Sequence, residues 1–385
     1  MIIGIDGNEA NVEKRVGISE YAFQLLVQLS NAKFSPRGEA GKGQNAKFVI
    51  YLKEEPCDQL PPESENWHYR VLKPGKLWTQ WRLPLDLYTH KPKPDVFLSL
   101  THYAPRFSPI PNVVAVMDLS YLYFPEMFHK SDLLQLRNWT AYSVRKAKKV
   151  LTISNSSRDD IIKEYNLAKD KVAVTHLGIK ESVSITPHIY SMNTLKTKYS
   201  ISDNYILFVG TLQPRKNITR LIKAFAKVIK EEKAPEELQL VIVGRKGWLY
   251  EEILETPKEL GIEDKVKFLE NVEDEELPLF YKHALCYVLP SLYEGFGLPV
   301  LEAMQQDCPV ITSNVSSLPE AGGDAALYVD PENIGDIAEK ITKLIGNDKL
   351  RKELIEKGRE QVKKFSWEKT AKETLQVLEE VAGKK

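Results

Sequence analysis

Apolar runs of strand length alternate along the chain with stretches that have the spacing of amphipathic helices. Such alternation is typical of a parallel sheet covered by helices on both faces. In the first half, a helix is expected over 19–31, and the strand-like runs are MIIGI at 1–5, KFVIYL at 47–52, DVFLSL at 95–100, NVVAVMD at 112–118 and KKVLTIS at 148–154.

The same pattern starts again at Tyr205. It consists of YILFVG at 205–210, LQLVIVG at 238–244, KVKFLE at 265–270 and ALCYVLP at 284–290, with helices expected over 218–231, near 248–260 and from about 299. A further strand is expected after the last of these helices, within the stretch 284–323. The repetition predicts an α/β protein with two doubly wound, Rossmann-like domains. Residues 180–200 show no clear periodicity and are interpreted as a linker, which gives domains at 1–187 and 188–365.

A final helix is predicted over 366–382. Its apolar stripe comprises Trp367, Ala371, Leu375 and Leu378. The stripe requires a packing partner, but the pattern alone does not indicate which domain provides it.

Composition and charge narrow the possible functions. The 385 residues are 43% hydrophobic and 28% charged, with 53 basic and 53 acidic side chains, so nothing suggests a nucleic-acid partner. Three widely spaced cysteines and seven scattered histidines predict neither disulfides nor a metal cluster. MIIGI is too short for a signal peptide and no apolar run is long enough to span a bilayer, so a cytoplasmic protein is expected.

Peripheral contact with the inner face of a membrane stays open. Residues 1–187 hold 25 basic and 20 acidic side chains, a modest excess that anionic lipid would attract. In the segment 76–88, Trp78, Trp81, Leu85 and Tyr88 recur at helical spacing. A stripe that faces the core is slightly favoured over an anchor at the membrane interface.

Two glutamates flank a glycine turn between the strand at 284–290 and the following helix. Gly295 and Gly297 permit the unusual backbone conformations of such a turn, and Glu294 and Glu302 lie on either side of it. Carboxylates at the carboxyl edge of a sheet suit the vicinal hydroxyls of a ribose or hexose. The N–H groups of 296–298, together with the helix dipole, favour an anion between them. The spacing alone slightly favours two glutamates without a ligand, one at the helix N-terminus and one in solvent.

A second glycine turn opens the second half. Asn217 is expected to cap the helix that follows, and Arg215 and Lys216 stand beside its start. Two adjacent cations at the mouth of a parallel sheet suit a diphosphate. After the next strand, the segment of Gly244, Arg245 and Lys246 either frames a nucleobase or simply turns the chain.

Other enzyme classes lack their signatures here. The chain has no GxGxxG that opens a βαβ unit, no GxxxxGK[ST], no HExxH and no DxD to hold a metal-bound diphosphate. The sequence therefore disfavours hydride transfer, P-loop chemistry and a metal-held donor.

The motifs GTLQPRKN at 210–217 and EGFGLPVLE at 294–302 resemble the donor-binding signatures of retaining glycosyltransferase family 4, most of all the bacterial mannosyltransferases of surface polysaccharide assembly. The resemblance extends to the opening of the chain, to 116–128, to 151–161 and to the terminal FSWEKTA. It implies the GT-B fold, with two domains that face a cleft and a C-terminal helix that crosses back to the N-terminal domain.

The resemblance also implies roles for individual residues. Glu294 would hold hydroxyls of the transferred sugar, Phe296, Gly297 and Leu298 would present backbone N–H groups, Glu302 would hold the ribose and Lys216 would pair with the diphosphate. Many members have glycine-arginine where this chain has Gly210-Thr211, and Arg215 is the expected substitute for the missing cation.

Two expectations concern the N-terminal domain. Where many members have histidine-aspartate, this chain has Met117-Asp118, and Asp118 is expected near the transferred sugar. Gly17 precedes the first helix, and its turn is expected either to bring N–H groups to the diphosphate or only to begin the helix.

The function implied is metal-independent transfer of a hexose from a nucleoside diphosphate sugar to a carbohydrate or lipid-linked acceptor. The N-terminal domain would bind the acceptor and the C-terminal domain the donor, with GDP-mannose as the first expected donor and no cofactor. A sugar phosphorylase on the same fold and a nucleotide-sugar-binding protein without catalysis are the alternatives.

Overall fold

The computed structural model describes residues 1–31, 46–180, 191–231 and 234–383. The chain divides into two units, which are unit 1 (Met1–Gly178 with Ser366–Lys385) and unit 2 (Ile179–Phe365). The expected boundary at 187/188 lies outside the described residues.

The sheet of unit 1 is parallel throughout its described strands, in the order β3-β2-β1-β4-β5-β6-β7. From β1 the chain adds β2 and β3 on one side of the sheet and β4 to β7 on the other, so the topological switch point lies between β1 and β4. Ligands of such sheets bind at the carboxyl ends of the strands at this point. The elements are β1 (Ile2–Asp6), α1 (Ile18–Asn31), β2 (Lys47–Leu52), β3 (Trp67–Val71), a π-helix (Trp78–Arg82), α2 (Leu83–Thr89), β4 (Val96–Ser99), β5 (Asn112–Ala115), α3 (Ser120–Tyr123), a 3₁₀ turn (Pro125–Met127), α4 (Lys130–Lys146), β6 (Lys149–Thr152), α5 (Asn155–Tyr165), a 3₁₀ turn (Lys169–Lys171) and β7 (Val172–Val174).

The sheet of unit 2 is also parallel, in the order β10-β9-β8-β11-β12-β13, and its topological switch point lies between β8 and β11. Its elements are α6 (Met192–Tyr199), β8 (Tyr205–Val209), a 3₁₀ turn (Pro214–Lys216), α7 (Ile218–Val228), β9 (Gln239–Val243), α8 (Glu251–Glu259), a 3₁₀ turn (Glu263–Lys265), β10 (Val266–Leu269), α9 (Leu277–His283), β11 (Cys286–Leu289), α10 (Leu298–Gln305), β12 (Val310–Ser313), α11 (Leu318–Gly322), a 3₁₀ turn (Gly323–Ala325), β13 (Ala326–Val329), α12 (Ile334–Ile345) and α13 (Asp348–Val362).

The central strands of both sheets are apolar on both faces because helices cover both. In β8, for example, Tyr205 to Phe208 are fully buried. Helix α7 buries Ile218, Leu221, Ile222 and Phe225 at helical spacing and packs beside α12 and α8.

The linker interpretation of 180–200 is wrong for its last part, where α6 forms. The hydroxyl of Ser191 accepts a hydrogen bond from the Thr194 amide at 3.2 Å and caps this helix. Only Leu195 anchors α6 in the core, so the segment has too few apolar positions to show a period.

The last helix, α14 (Trp367–Val381), packs on unit 1 against α1, β4 and β6. The Trp367 ring lies 6.3 Å from the ring of Tyr21, and the Thr370 hydroxyl donates to the carbonyl of His176 at 2.5 Å. The expected return of the C-terminal helix to the N-terminal domain is therefore confirmed. Within the described ranges, no helix combines the length and the apolarity needed to cross a membrane.

Candidate active site

Glu294 forms a buried ion cluster with the two predicted cations. Glu294 follows β11, whereas Arg215 and Lys216 follow β8. Because β8 and β11 are neighbours, the three side chains converge at the topological switch point of unit 2. Lys216 Nζ donates to Glu294 Oε1 at 2.6 Å, and Arg215 Nη1 donates to Oε2 at 3.1 Å. The three side chains are only 9–15% exposed. Sequence reasoning predicted each residue but not that they pair.

The cluster keeps Glu294 ionised. Burial by itself would raise the pKa of this carboxyl, but the charges of Lys216 and Arg215, with hydrogen bonds from Lys216 and Ser291, lower the pKa to about 2. The Ser291 hydroxyl donates to Oε1 at 2.6 Å. Oε1 thus accepts two hydrogen bonds and Oε2 one, which leaves Oε2 the capacity to accept another from a ligand hydroxyl.

Serines that the sequence reasoning missed hold the backbone of Glu294 in place. The Glu294 amide donates to the hydroxyl of Ser316 at 3.0 Å, and the hydroxyl of Ser317 donates to the Glu294 carbonyl at 2.8 Å. Both serines belong to the loop after β12. The available signal was the pair of serines before Leu318-Pro319-Glu320, inside the same motif-rich stretch as the glycine turn.

The glycine turn has the expected unusual backbone at Gly297 but not at Gly295, which is not among the residues with positive φ. Gly297 has φ 105°, and a Cβ there would lie 2.9 Å from Leu318 Cδ2. Phe296 packs edge-on against Phe365 with ring centres 5.4 Å apart. The next residue, Leu298, begins α10, and Pro299 follows in its first turn.

Glu302 lies on α10, the helix that follows the glycine turn. It is the fifth residue of α10 and therefore in the second turn, because the helix begins at Leu298. The Tyr281 hydroxyl donates to Glu302 Oε2 at 3.2 Å. Burial, with the charges of Glu302 and Glu294 adding to it, raises the pKa of Tyr287 well above its usual value. Tyr287 thus experiences the field of both predicted carboxylates.

The expected cap of α7 by Asn217 is wrong. Asn217 precedes the helix, but its backbone is left-handed, with φ 61°, and its side-chain oxygen accepts from the Arg220 guanidinium at 2.9 Å and not from a backbone amide of the helix. Its amide nitrogen instead donates to the carbonyls of Pro290, at 2.9 Å, and Pro331, at 2.6 Å. Asn217 therefore ties the cation loop to the end of β11.

Gly210 and Gly244 bring the loops after β8 and β9 into direct contact. A Cβ on Gly244 would lie 1.9 Å from the Gly210 carbonyl oxygen, so only glycine fits there. Thr211 and Arg245 are exposed at this edge, and Lys246 Nζ pairs with Glu270 Oε1 at 2.6 Å. The two cations that are expected to bind a diphosphate and the segment expected to turn the chain or to frame a base thus share one edge of the sheet.

The candidates of the first half lie at loops of unit 1. Gly17 has φ 56° immediately before α1, and nothing approaches the position of its Cβ. Asp118 Oδ1 accepts from the Ser120 amide at 2.8 Å, at the start of α3. Met117 is next to it, half-buried after β5.

Two titratable groups of unit 1 escaped the sequence reasoning. Burial raises the pKa of Asp6, at the end of β1, to about 6, despite hydrogen bonds from Asn8. His102, after β4, has a buried Nδ1 without a hydrogen-bond partner, and burial lowers its pKa against the opposing charge of Asp118. Both residues lie at or just after the ends of the two strands that flank the topological switch point of unit 1, β1 and β4. In the described part of the chain, no three His, Cys, Asp or Glu residues are grouped as metal ligands would be.

Comparison with known proteins identifies the family. The signature of the family "Glycosyl transferases group 1" matches residues 192–361. O-antigen chain mannosyltransferase B of Escherichia coli is 32% identical over 379 residues, which cover 93% of this chain and 94% of that protein. The chain belongs to the group 1 glycosyl transferases.

Solved structures give the same fold. Sucrose-phosphate synthase from Thermosynechococcus elongatus matches over 100% of both chains with a TM-score of 0.72 and 18% identity. HepE of Anabaena, solved with UDP-glucose, matches over 98% of this chain and 99% of its own with a TM-score of 0.68 and 17% identity. The predicted family, the GT-B fold of two Rossmann-like units and the enzyme class, a glycosyltransferase, are confirmed.

Proposed function

We propose that this glycosyltransferase moves mannose from GDP-mannose, with retained anomeric configuration, to a hydroxyl of a carbohydrate or lipid-linked acceptor in polysaccharide assembly. The observation that carries the proposal is the buried cluster of Arg215, Lys216 and Glu294 at the topological switch point of unit 2. It combines cations for a diphosphate with a carboxylate for a sugar. Mannose is favoured because the relative that spans the chain is named a mannosyltransferase.

In this proposal, unit 2 binds the donor. Lys216 and Arg215 neutralise the diphosphate, Glu294 Oε2 accepts a hydroxyl of the sugar, and Glu302 accepts the ribose hydroxyls. The backbone at Phe296, Gly297 and Leu298 and the start of α10 supports the negative charge. The exposed segment at Thr211, Gly244, Arg245 and Lys246 contacts the nucleotide.

The transfer step requires little covalent chemistry from the protein. The bond between the anomeric carbon and the diphosphate oxygen breaks, and the acceptor oxygen bonds to the same face of that carbon. The acceptor proton passes to the departing diphosphate. Lys216 and Arg215 stabilise the charge that grows on the diphosphate, and removing such an electrostatic partner costs about 3–4 kcal/mol of transition-state stabilisation in other enzymes.

Unit 1 binds the acceptor in this proposal. Asp118 is placed near the transferred sugar, and the turn at Gly17 supplies backbone N–H groups to the diphosphate of the donor. A lipid-linked acceptor would bring the reaction to a membrane surface, where the protein makes peripheral contact.

Calorimetry with GDP, UDP and dTDP, followed by turnover with GDP-mannose and UDP-glucose, tests the identity of the donor.

Glu302→Ala is expected to weaken GDP binding, because one lost charged hydrogen bond costs about 1.5–3 kcal/mol, or roughly 10–150-fold in affinity. Glu294→Ala should lower turnover with mannose more than it lowers GDP affinity. The control is Glu353→Ala, which removes an exposed carboxylate paired with Lys357. Unchanged GDP affinity in Glu302→Ala would refute the ribose assignment, and turnover with UDP-glucose alone would refute the donor.

Activity should survive EDTA, because Lys216 and Arg215 supply the positive charge that a metal would provide. Lys216→Ala should lose the most turnover among single cation variants. Turnover that EDTA abolishes and magnesium or manganese restores would contradict the metal-independent mechanism.

A further inference from the structure

An apolar stripe on unit 1 is exposed to solvent. Leu77, Trp81, Leu85 and Tyr88 follow one another at spacings of four, four and three residues along the π-helix and α2. Each is at least half exposed, and Trp81 reaches 72%. The favoured expectation of a core-facing stripe is therefore wrong for every predicted member except Trp78, which is buried.

The segment itself is firmly held, so the exposure is not a sign of loose packing. Its opposite face packs Trp78, Leu83 and Leu87 into a cluster with Tyr51, Leu72 and Phe97. A bidentate ion pair joins the buried Asp86 to Arg70 at 2.6 and 2.7 Å. The stripe is thus presented on a fixed scaffold.

A fifth apolar side chain lies in a loop next to the stripe. The Arg106 amide donates to the carbonyl of Thr79 at 3.1 Å, which places that loop beside the π-helix. Phe107, in the left-handed region with φ 52°, is 73% exposed. A large aromatic ring held in solvent by a restricted backbone conformation is unusual for a surface without a partner.

The charge around these side chains is positive. The segment 72–107 contains six basic residues and two acidic ones. Both carboxylates are engaged within the protein, because Asp86 pairs with Arg70 and Asp95 accepts from the Ile2 amide at 2.7 Å. Of the basic residues, Lys73 lies 3.7 Å from Glu54 and 3.9 Å from Glu55, so its charge is offset. The basic rim therefore consists of Lys76, Arg82, Lys91, Lys93 and Arg106.

We infer that this surface, the stripe with Phe107 and its basic rim, docks the protein on a bilayer that contains anionic lipid. Tryptophan and tyrosine favour the headgroup region of membranes, leucine and phenylalanine enter the acyl boundary, and lysines and arginines are attracted by anionic headgroups. The inference rests on the proposed function only for its purpose, since a lipid-linked acceptor would lie at such a surface.

Vesicle flotation tests the inference without donor or acceptor. The full-length protein is mixed with phosphatidylcholine vesicles that contain or lack phosphatidylglycerol. Wild type should float with the anionic vesicles, and Trp81→Ser/Leu85→Ser/Phe107→Ser should partition at least about tenfold less. Leu260→Ser, at an exposed leucine of unit 2, is the matched control and should behave as wild type.

The charge component has its own variant. Lys76→Gln/Lys91→Gln should bind anionic vesicles roughly tenfold less at low salt, a difference that high salt removes by screening. The control Lys372→Gln removes an exposed lysine outside the rim and should not change binding.

Three outcomes would overturn the inference. Wild type could fail to float, the stripe variant could float like the control, or the stripe could mediate a dimer in solution that its variant abolishes. Calorimetry with GDP on the same variants separates this failure from failure of the proposed function. Stripe variants that bind GDP but not vesicles support both, and floating protein that binds no nucleoside diphosphate refutes only the donor proposal.

Discussion

Glu294 has one carboxylate that compensates two buried cations. Its removal would leave Arg215 and Lys216 with side chains at most 15% exposed and without this counter-ion. An uncompensated buried charge is among the most destabilising changes that a single substitution can make.

Glu294→Gln is therefore expected to lower the free energy of unfolding by about 3–5 kcal/mol at neutral pH, measured by urea denaturation. Added pyrophosphate should restore part of this loss by supplying a negative charge to both cations. The control Glu353→Gln breaks an exposed ion pair and should cost less than about 1 kcal/mol. Equal losses in the two variants would show that the cluster is energetically unimportant.

The same substitution has a defined pH dependence. The pKa of Glu294 is about 2 in the folded protein and 4.5 in its unperturbed form. The stabilisation by the charged carboxylate is thus fully present above pH 4.5 and is lost as the pH falls towards 2. The difference between wild type and Glu294→Gln should shrink over that range.

Asp6 shows the opposite behaviour. Burial raises its pKa from 3.8 to about 6, so the charged carboxylate destabilises the folded state above pH 6 by up to about 3 kcal/mol. Asp6→Asn keeps an oxygen that accepts from Asn8 and should raise the free energy of unfolding near neutral pH, while near pH 3 the two proteins should be alike. Urea denaturation at the two pH values checks this, and an equal effect at both would contradict the assignment.

At the scale of elements, helix α14 depends on a glycine in a distant part of the chain. A Cβ on Gly178 would lie 2.0 Å from the amide nitrogen of Trp367. The helix could then not begin in its present place, although Trp367, Leu375 and Leu378 are buried in unit 1.

Gly178→Ala is expected to loosen α14, with a loss of more than about 2 kcal/mol in the free energy of unfolding and faster proteolysis near Ser366. Gly75→Ala is the control, because a Cβ there would meet only ordinary contacts at 3.6 Å or more. Proteolysis of Gly178→Ala at the wild-type rate would show that the backbone can adjust.

The strands that the apolar pattern did not predict are β3, β7 and β13, and all three lie at a sheet edge. Central strands are buried on both faces and give continuous apolar runs, whereas β3 (WHYRV) is half-exposed and carries polar side chains. The edge strands β7 (VAV) and β13 (ALYV) are apolar but too short to stand out as strand-length runs. Periodicity also detected the stripe that contains Trp81 and Leu85, but it did not predict that the stripe is exposed to solvent. Spacing shows that side chains share a face, and only the packing of other elements decides whether that face is covered.

The candidate site shows a similar limit. The sequence showed the cations, the carboxylates and the glycine turns of the site. The fold places them at the carboxyl ends of parallel strands, where ligands of such sheets bind. The pairing of Lys216 with Glu294 spans 78 residues and depends on β8 lying beside β11, a neighbourhood that the order of strands along the chain does not reveal. His102 was missed because a single histidine in a loop has no pattern.

At the scale of the whole molecule, the two units differ in how the chain builds them. Unit 2 is one continuous segment, Ile179–Phe365, and contains all the predicted donor residues except Gly17. Its sheet and covering helices are complete without unit 1.

Residues 179–365 produced alone should therefore fold and bind GDP with an affinity within about tenfold of the full chain. Circular dichroism and calorimetry measure this, and the same segment with Glu302→Ala is the control for binding at the predicted site. A folded segment without GDP affinity would show that unit 1 contributes essential donor contacts.

The closure of unit 1 by α14 sets the order in which the protein can mature on the ribosome. Residues 1–178 emerge first, but the faces of α1, β4 and β6 that α14 covers stay exposed until α14 itself is synthesised. Unit 2, encoded later, has all of its own sequence sooner and can finish first. A chain that stops short of α14 would therefore present apolar surface to chaperones and proteases.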